Sequence, residues 1–229
     1  SVETTNREIM EFQEKIETDI GSFLDIPSLP DSYKPRATEQ LDITLQRAEE
    51  ALNAKFLVNA GIQGSTYLDL REKAAKEIGK KFNMVAIGGI VPLMESYEFR
   101  KLVDIIITVK KNIPSDRIVH GFGLGHPMIF SLAISLGCDV FDSAAYALFA
   151  QDDRYMTENS TKKLSELEYL PCSCPVCMKY GIGLKELKNE ERVKKLAEHN
   201  LYVSFEELNR VKQAIKENRL WEFISMRSR

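Results

Sequence analysis

No stretch of this 229-residue chain comes near the roughly 18 to 20 uncharged apolar residues that a bilayer-spanning helix needs. Its start, Ser1-Val2-Glu3-Thr4, offers neither the basic flank nor the apolar run of a signal peptide. A cytoplasmic chain is expected, with no membrane as partner. Nor is there an excess of one charge: 31 Lys and Arg stand against 34 Asp and Glu, a formal net of −3. That balance excludes a strongly basic nucleic-acid module by composition, though not a local basic face. Residues 1–54 hold five basic against twelve acidic side chains, and residues 181–229 hold eleven against eight. An acidic body with a basic tail is one reading, and a solvated helix of mixed charge is the other. What is present is ordinary for a folded domain: 44% hydrophobic residues supply a sizeable core.

Cysteine is scarce, four in all, and unevenly placed. Cys138 stands alone in an apolar stretch, where a buried thiol is expected. Cys172, Cys174 and Cys177 fall within six residues. They cannot all pair with one another, so a disulfide framework explains them poorly, and a reducing compartment and a metal explain them better. Cys172-Ser173-Cys174-Pro175-Val176-Cys177 can give three thiolates to one ion, and zinc takes four ligands in a tetrahedron. His199, which is the one histidine after the cysteines, would be the fourth. The other reading of His199 is a histidine at a helix C-terminus. A closed four-ligand site makes the expected cofactor a structural Zn2+.

The first 150 residues alternate short apolar segments with amphipathic helices. The segments Gly21–Pro27, Lys55–Gly64, Met84–Pro92, Arg117–Gly125 and Cys138–Ser143 read as strands buried on both faces, as parallel strands are. Between them, Leu41, Leu45, Ala48, Ala51 and Leu52 keep a helical period, as do Tyr67 to Ile78 and Phe99 to Val109. A helix from Asn6 to about Glu17 precedes them, capped by Thr4 or Thr5 with Glu8 close behind. Five βα units suit either an open doubly wound sheet or part of a (β/α)8 barrel. After about Tyr155 the pattern changes: a polar loop at Thr157–Lys163, the cysteines, and two charged helices at about Lys185–Glu198 and Ser204–Asn218. The expected division is residues 1–157 for the βα body and 158–229 for a zinc-binding subdomain with closing helices.

Polar residues gather at the strand ends. Asp25, just before Ile26-Pro27, and Asp142, just before Ser143, are carboxylates in apolar settings, which are expensive unless partnered and often functional. Capping or a structural hydrogen bond is the alternative for each. Gln63, between Gly61 and Gly64, places an amide where it could read a flat heterocycle through a donor and an acceptor together. Gly88-Gly89 lets the backbone approach a ligand closely. Gly121-Phe122-Gly123-Leu124-Gly125-His126-Pro127 has neither the dinucleotide-binding nor the Walker spacing. His120 and His126 read as packed residues.

Several of these runs resemble the archaeal tRNA-guanine transglycosylases: Phe23-Leu24-Asp25-Ile26-Pro27, Gly88-Gly89-Ile90-Val91-Pro92-Leu93-Met94-Glu95-Ser96-Tyr97, Gly125-His126-Pro127-Met128, Phe141-Asp142-Ser143-Ala144-Ala145-Tyr146-Ala147-Leu148 and Leu170-Pro171-Cys172-Ser173-Cys174-Pro175-Val176-Cys177. The resemblance continues through His199-Asn200-Leu201 to Leu220-Trp221-Glu222. It implies an α/β fold, a partial (β/α)8 TIM barrel of about five βα units with a zinc-binding subdomain. It implies tRNA as partner and exchange of a D-loop guanine for 7-cyano-7-deazaguanine, in archaeosine formation. By motif, Asp142 is the nucleophile at ribose C1′, while Asp25, Gln63, Gly88 and Gly89 bind the base. The family also carries about three further strands and an Asp-Ser-Gly-x-Phe-Gln motif with a second essential aspartate, which these residues lack. The expectation is therefore a catalytic domain lacking its N-terminal segment, acting as a homodimer or with a partner chain that supplies strands. The alternatives are a non-catalytic or split-subunit partner for tRNA binding or dimerisation, and an unrelated zinc-stabilised α/β enzyme.

Overall fold

The computed structural model describes residues 4–227, which form two compact units. One holds the chain up to Gly123 together with Leu136–Phe141; the other holds Leu124–Ser135 and everything from Asp142 onward.

The first unit begins with α1 (Asn6–Lys15). Thr5 caps it: Thr5 Oγ1 accepts from the Glu8 N–H, and the Glu8 carboxylate accepts from the Thr5 N–H at 2.7 Å. This capping box satisfies two of the helix's orphan donors. Then follow β1 (Ile20–Gly21), α2 (Lys34–Glu50), β2 (Leu57–Ile62), α3 (Leu68–Lys81), β3 (Met84–Ile87), the short α4 (Val91–Glu95), α5 (Phe99–Asn112), β4 (Ile118–Gly121) and β5 (Val140–Phe141). All four pairings are parallel and the order is β1-β2-β3-β4-β5. A doubly wound sheet reverses its order at a switch point, whereas a barrel adds strands in sequence. The sheet is thus a curled five-strand half-barrel. β3 is buried throughout, and β2 from Val58 onward, because helices cover one face and inward side chains fill the other. Leu102, Ile105, Ile106 and Val109 of α5, with Ala74, Ala75 and Ile78 of α3, are essentially fully buried at helical spacing. That spacing forms the stripe on which the sheet packs.

The first strand is shorter than the predicted Gly21–Pro27. Past Gly21, alternate N–H groups turn to side chains instead of to a neighbouring strand. Ser22 donates to Gln13 Oε1, Leu24 to Asn6 Oδ1 and Ile26 to Thr44 Oγ1. The Gln13 amide also donates to the Ser22 carbonyl at 2.8 Å, doing for one residue what a strand would do. Asp139, just before β5, joins β4: its N–H donates to the Val119 carbonyl and its carboxylate accepts from the Val119 N–H.

The second unit contains α6 (Pro127–Ser135), α7 (Ala145–Gln151), β6 (Arg154–Met156), β7 (Thr161–Lys163), α8 (Pro175–Tyr180), α9 (Asn189–Lys216) and α10 (Leu220–Arg227). Its core joins Ala150, Tyr155, Leu164, Cys174, Val176, Cys177, Leu184 and Leu196. Two expectations change here. The polar stretch Thr157–Lys163 is largely the turn and return strand of an antiparallel hairpin, β6 with β7, closed by Thr157 Oγ1, which accepts from the Ser160 N–H at 3.0 Å. The two predicted C-terminal helices are one helix of 28 residues. Asn200 does not break it, because its side chain works outward. Oδ1 accepts from the Met156 N–H, while Nδ2 donates to the Tyr146 and Arg154 carbonyls. Farther along α9, the buried Glu207 receives Arg227 of α10 through two hydrogen bonds of 2.7 Å. Among the described residues no helix is long and apolar enough to cross a membrane.

Candidate functional site

In the first unit, Asp25 and Gln63 meet at the C-terminal side of the sheet. Gln63 follows β2 directly, and Asp25 lies in the extended segment past β1. Gln63 is 1% exposed, and its Nε2 donates to Asp25 Oδ2 at 2.6 Å. Two glycines make room for the pair. A Cβ on Gly61 would stand 2.5 Å from Asp25 Oδ2, and one on Gly88 would stand 2.1 Å from Gln63 Nε2. A side chain at either position would push one member of the pair out of place. Gly89 has φ +69°, and a Cβ there would meet the Ser28 carbonyl at 2.9 Å, so strain and space both demand glycine. Asp25, Gln63, Gly88 and Gly89, which come from three separate segments of sequence, are therefore brought together at one place.

The turn that carries Gln63 is unusual. Gly64 has φ +140° and Ser65, a non-glycine, has φ +54°. Left-handed residues in succession are strained and persist where surroundings hold them. Here Arg71, in the first turn of α3, donates from Nη1 to the Ile62 carbonyl at 2.7 Å and from Nε to the Ser65 carbonyl at 2.8 Å. Arg71 is fully buried, and burial pushes its pKa down to about 9.

In the second unit, Cys172, Cys174, Cys177 and His199 place one ligand atom each within 4.8 Å of all the others. His199 Nδ1 lies 3.4 Å from both Cys174 Sγ and Cys177 Sγ. A tetrahedral zinc with usual bond lengths sets sulfur and nitrogen about 3.5 Å apart. His199 Nε2 donates to the Met156 carbonyl at 3.0 Å, which fixes the tautomer and leaves Nδ1 as the ligand, the arrangement expected around metal-bound histidine. The Tyr155 ring stacks on that imidazole at 3.8 Å, with its hydroxyl 3.4 Å from Cys177 Sγ. Both His199 and Cys174 are fully buried. His199 sits well inside α9, so the alternative of a helix-terminal histidine does not apply. Three soft thiolates and an imidazole without an open position could hold a structural metal, and the donor set fits zinc.

Asp142 follows β5 immediately and is exposed. Behind it, a Cβ on Gly125 would fall 1.8 Å from Ser143 Cβ, so the chain just after Asp142 is pressed against a bare backbone. Next to Gly125, the buried His126 accepts from the Met128 N–H at Nδ1 and pairs with Thr161 Oγ1 at 2.7 Å through Nε2. Burial, and secondarily the charge of Arg154, pushes its pKa down to about 4. The imidazole is therefore neutral near pH 7. His120 is buried too, with Nδ1 accepting from Asn59 at 2.8 Å.

The profile of the family described as queuine tRNA-ribosyltransferase matches residues 1–229. The chain belongs to the queuine tRNA-ribosyltransferase family. Among its relatives, proteins named tRNA-guanine(15) transglycosylase are 58% identical in Thermococcus onnurineus, 56% in Pyrococcus furiosus and 52% in Methanocaldococcus jannaschii. Each match covers all of this chain but only 40%, 40% and 36% of those proteins. The chain thus spans about two fifths of the length of these relatives. Sequence reasoning missed Arg71, which holds the turn of Gln63, Tyr155, which stacks on His199, and Asn200, which ties α9 to three other backbone groups. Arg71 left a trace: it shares the buried stripe of α3 with Ala74, Ala75 and Ile78, where a charge is out of place. Asn200 left none, since its partners lie 44 to 54 positions away.

Proposed function

We propose that the chain supplies the later barrel strands and the zinc subdomain of an enzyme that exchanges a guanine in the D-loop of tRNA for 7-cyano-7-deazaguanine. The observation that carries the reading is the Asp25–Gln63 pair, set at 2.6 Å beside two glycines where any side chain would displace it. A carboxylate accepts two N–H groups and an amide nitrogen donates, which complements the N1–H, the exocyclic amine and the 6-oxo group along one edge of a guanine-like base. Gly88 and Gly89 let the backbone approach that edge. The family assignment and the names of the relatives favour the same reading.

In this reading, the Asp142 carboxylate attacks C1′ of the ribose, and the bond to N9 of guanine breaks. Guanine leaves with the electron pair and takes up a proton. The incoming deazaguanine then loses the proton from its ring nitrogen and displaces Asp142, restoring the carboxylate. The target base has to leave its stack first. Residues 1–157 act as the barrel part and 158–229 as the subdomain, with a structural Zn2+ on Cys172, Cys174, Cys177 and His199. A homodimer, or a partner chain giving further strands, completes the enzyme, and its place is the cytoplasm. A second carboxylate comes from residues other than these, since no Asp-Ser-Gly-x-Phe-Gln sequence is among them.

The test is incorporation of labelled guanine into tRNA by the complete enzyme, with and without Asp142→Asn. Loss of exchange with tRNA binding retained supports the reading. Unchanged exchange would sink it, and would favour the role of a tRNA-binding or dimerisation partner.

A further inference from the structure

The guanidinium of Arg71 is a costly group to bury in the first unit. It is fully buried, and no carboxylate among the described residues forms an ion pair with it. A buried charge without a counterion is normally replaced by an apolar residue or paired. Where such a rule is broken, a site is the usual reason. The two carbonyls it holds, those of Ile62 and Ser65, stand on either side of Gln63-Gly64. Its remaining nitrogen, Nη2, is buried without a partner, and so is Gln63 Oε1. Both face one point: a Cβ on Gly89 would lie 3.2 Å from Gln63 Oε1 and 3.7 Å from Arg71 Nη2. One side chain therefore clamps the turn that carries the recognition amide and also borders the glycine beside it.

We propose that Arg71 is a positioning residue, which sets the pocket's affinity for a 6-oxopurine by fixing the orientation of the Gln63 amide. The inference rests on the base-binding reading given above. Two carbonyls approached from different directions require a planar fork of donors. Lysine carries all its donors on one nitrogen, so it cannot present the two arms of the fork that Nε and Nη1 extend to these carbonyls. Without the second bond, the strained Gly64–Ser65 turn relaxes, and the Gln63 amide no longer faces the 6-oxo group in a fixed orientation.

The experiment is guanine binding by calorimetry on the complete, metal-loaded protein, as a cycle of Arg71→Lys, Gln63→Ala and the double variant. Expected is a loss of about tenfold or more for Arg71→Lys alone, the worth of one charge-assisted hydrogen bond. In the Gln63→Ala background the same change costs less than about twofold, because the two residues act as one unit. Equal losses in both backgrounds would mean that Arg71 only holds the fold, and no loss in either would remove it from the site; both overturn the proposal and leave the base-binding reading intact. Failure of the unsubstituted protein to bind guanine overturns that reading and the proposal together. If Arg71→Lys does not fold, the Nε–H resonance of Arg71 in the unsubstituted protein decides. It shifts on addition of guanine if Arg71 orients the pocket, and a resonance that stays put overturns the proposal.

Discussion

Acid should loosen the second unit through one histidine. His126 is 5% exposed, accepts at Nδ1 from the Met128 N–H and is hydrogen-bonded to Thr161 at Nε2. Its pKa is pushed down to about 4, against about 6.5 for an unfolded chain. Between those values the unfolded chain holds the proton and the native protein does not. The stabilisation is therefore complete above about pH 6.5 and is lost as the pH falls toward 4. The whole interval is worth about 3 kcal/mol, of which about 1 kcal/mol has gone by about pH 5.5. Urea unfolding followed by circular dichroism, at about pH 7.5 and about pH 5.5, reads this as a lower midpoint in acid. His126→Gln keeps a donor and an acceptor but cannot titrate, so its midpoint should fall about 1 kcal/mol less over the same range. The comparison between variants cancels whatever the metal site contributes, since both carry it. A His126→Gln protein that loses as much stability as the unsubstituted one would refute the reasoning.

Two further outcomes follow from the second unit. Asn200→Ala removes three hydrogen bonds between α9 and the backbone of three other residues, all of them buried or nearly so. It should destabilise by about 2 to 4 kcal/mol in urea unfolding, and a loss under about 1 kcal/mol would mean those carbonyls find other donors. Stripping the metal with a chelator should release Cys172, Cys174, Cys177 and His199 together. Hydrogen exchange would then speed up in α8 and the β6–β7 hairpin while β2 and β3 keep their protection; unchanged protection in α8 would show that its packing does not need the ion.

How much of this could be read in advance depended on whether the deciding contact was local. The cap of α1 was legible because Thr5 and Glu8 are three residues apart. The metal-binding cluster was legible because three of its four side chains lie within six positions, and sulfur chemistry narrows what such a cluster does. The order of the half-barrel was legible only as five βα units, since periodicity does not tell an open sheet from a closing one; pairing does. The continuity of α9 was hidden because Asn200 and Ser204 look like breakers. Their side chains in fact serve other backbones or, in the case of Ser204, bond back to the Asn200 carbonyl at 3.0 Å. β1 read as longer than it is, because the side chains that capture Ser22, Leu24 and Ile26 come from helices on both sides of it in sequence. Around Gln63, the glycines pointed to close approach, but the clamp on the turn emerged only with Arg71 in place.

The Gln13 amide has a consequence for solubility. A bare edge of a parallel sheet is an invitation to foreign strands, and proteins spend charge, proline or bulges to refuse it. Here the donor and the acceptor of Ser22 are both occupied by one glutamine, with Asn6 and Thr44 taking the next two donors along. An intruding strand gains no hydrogen bond at Ser22 that the chain did not already have. The same three side chains therefore cap the backbone that continues beyond β1.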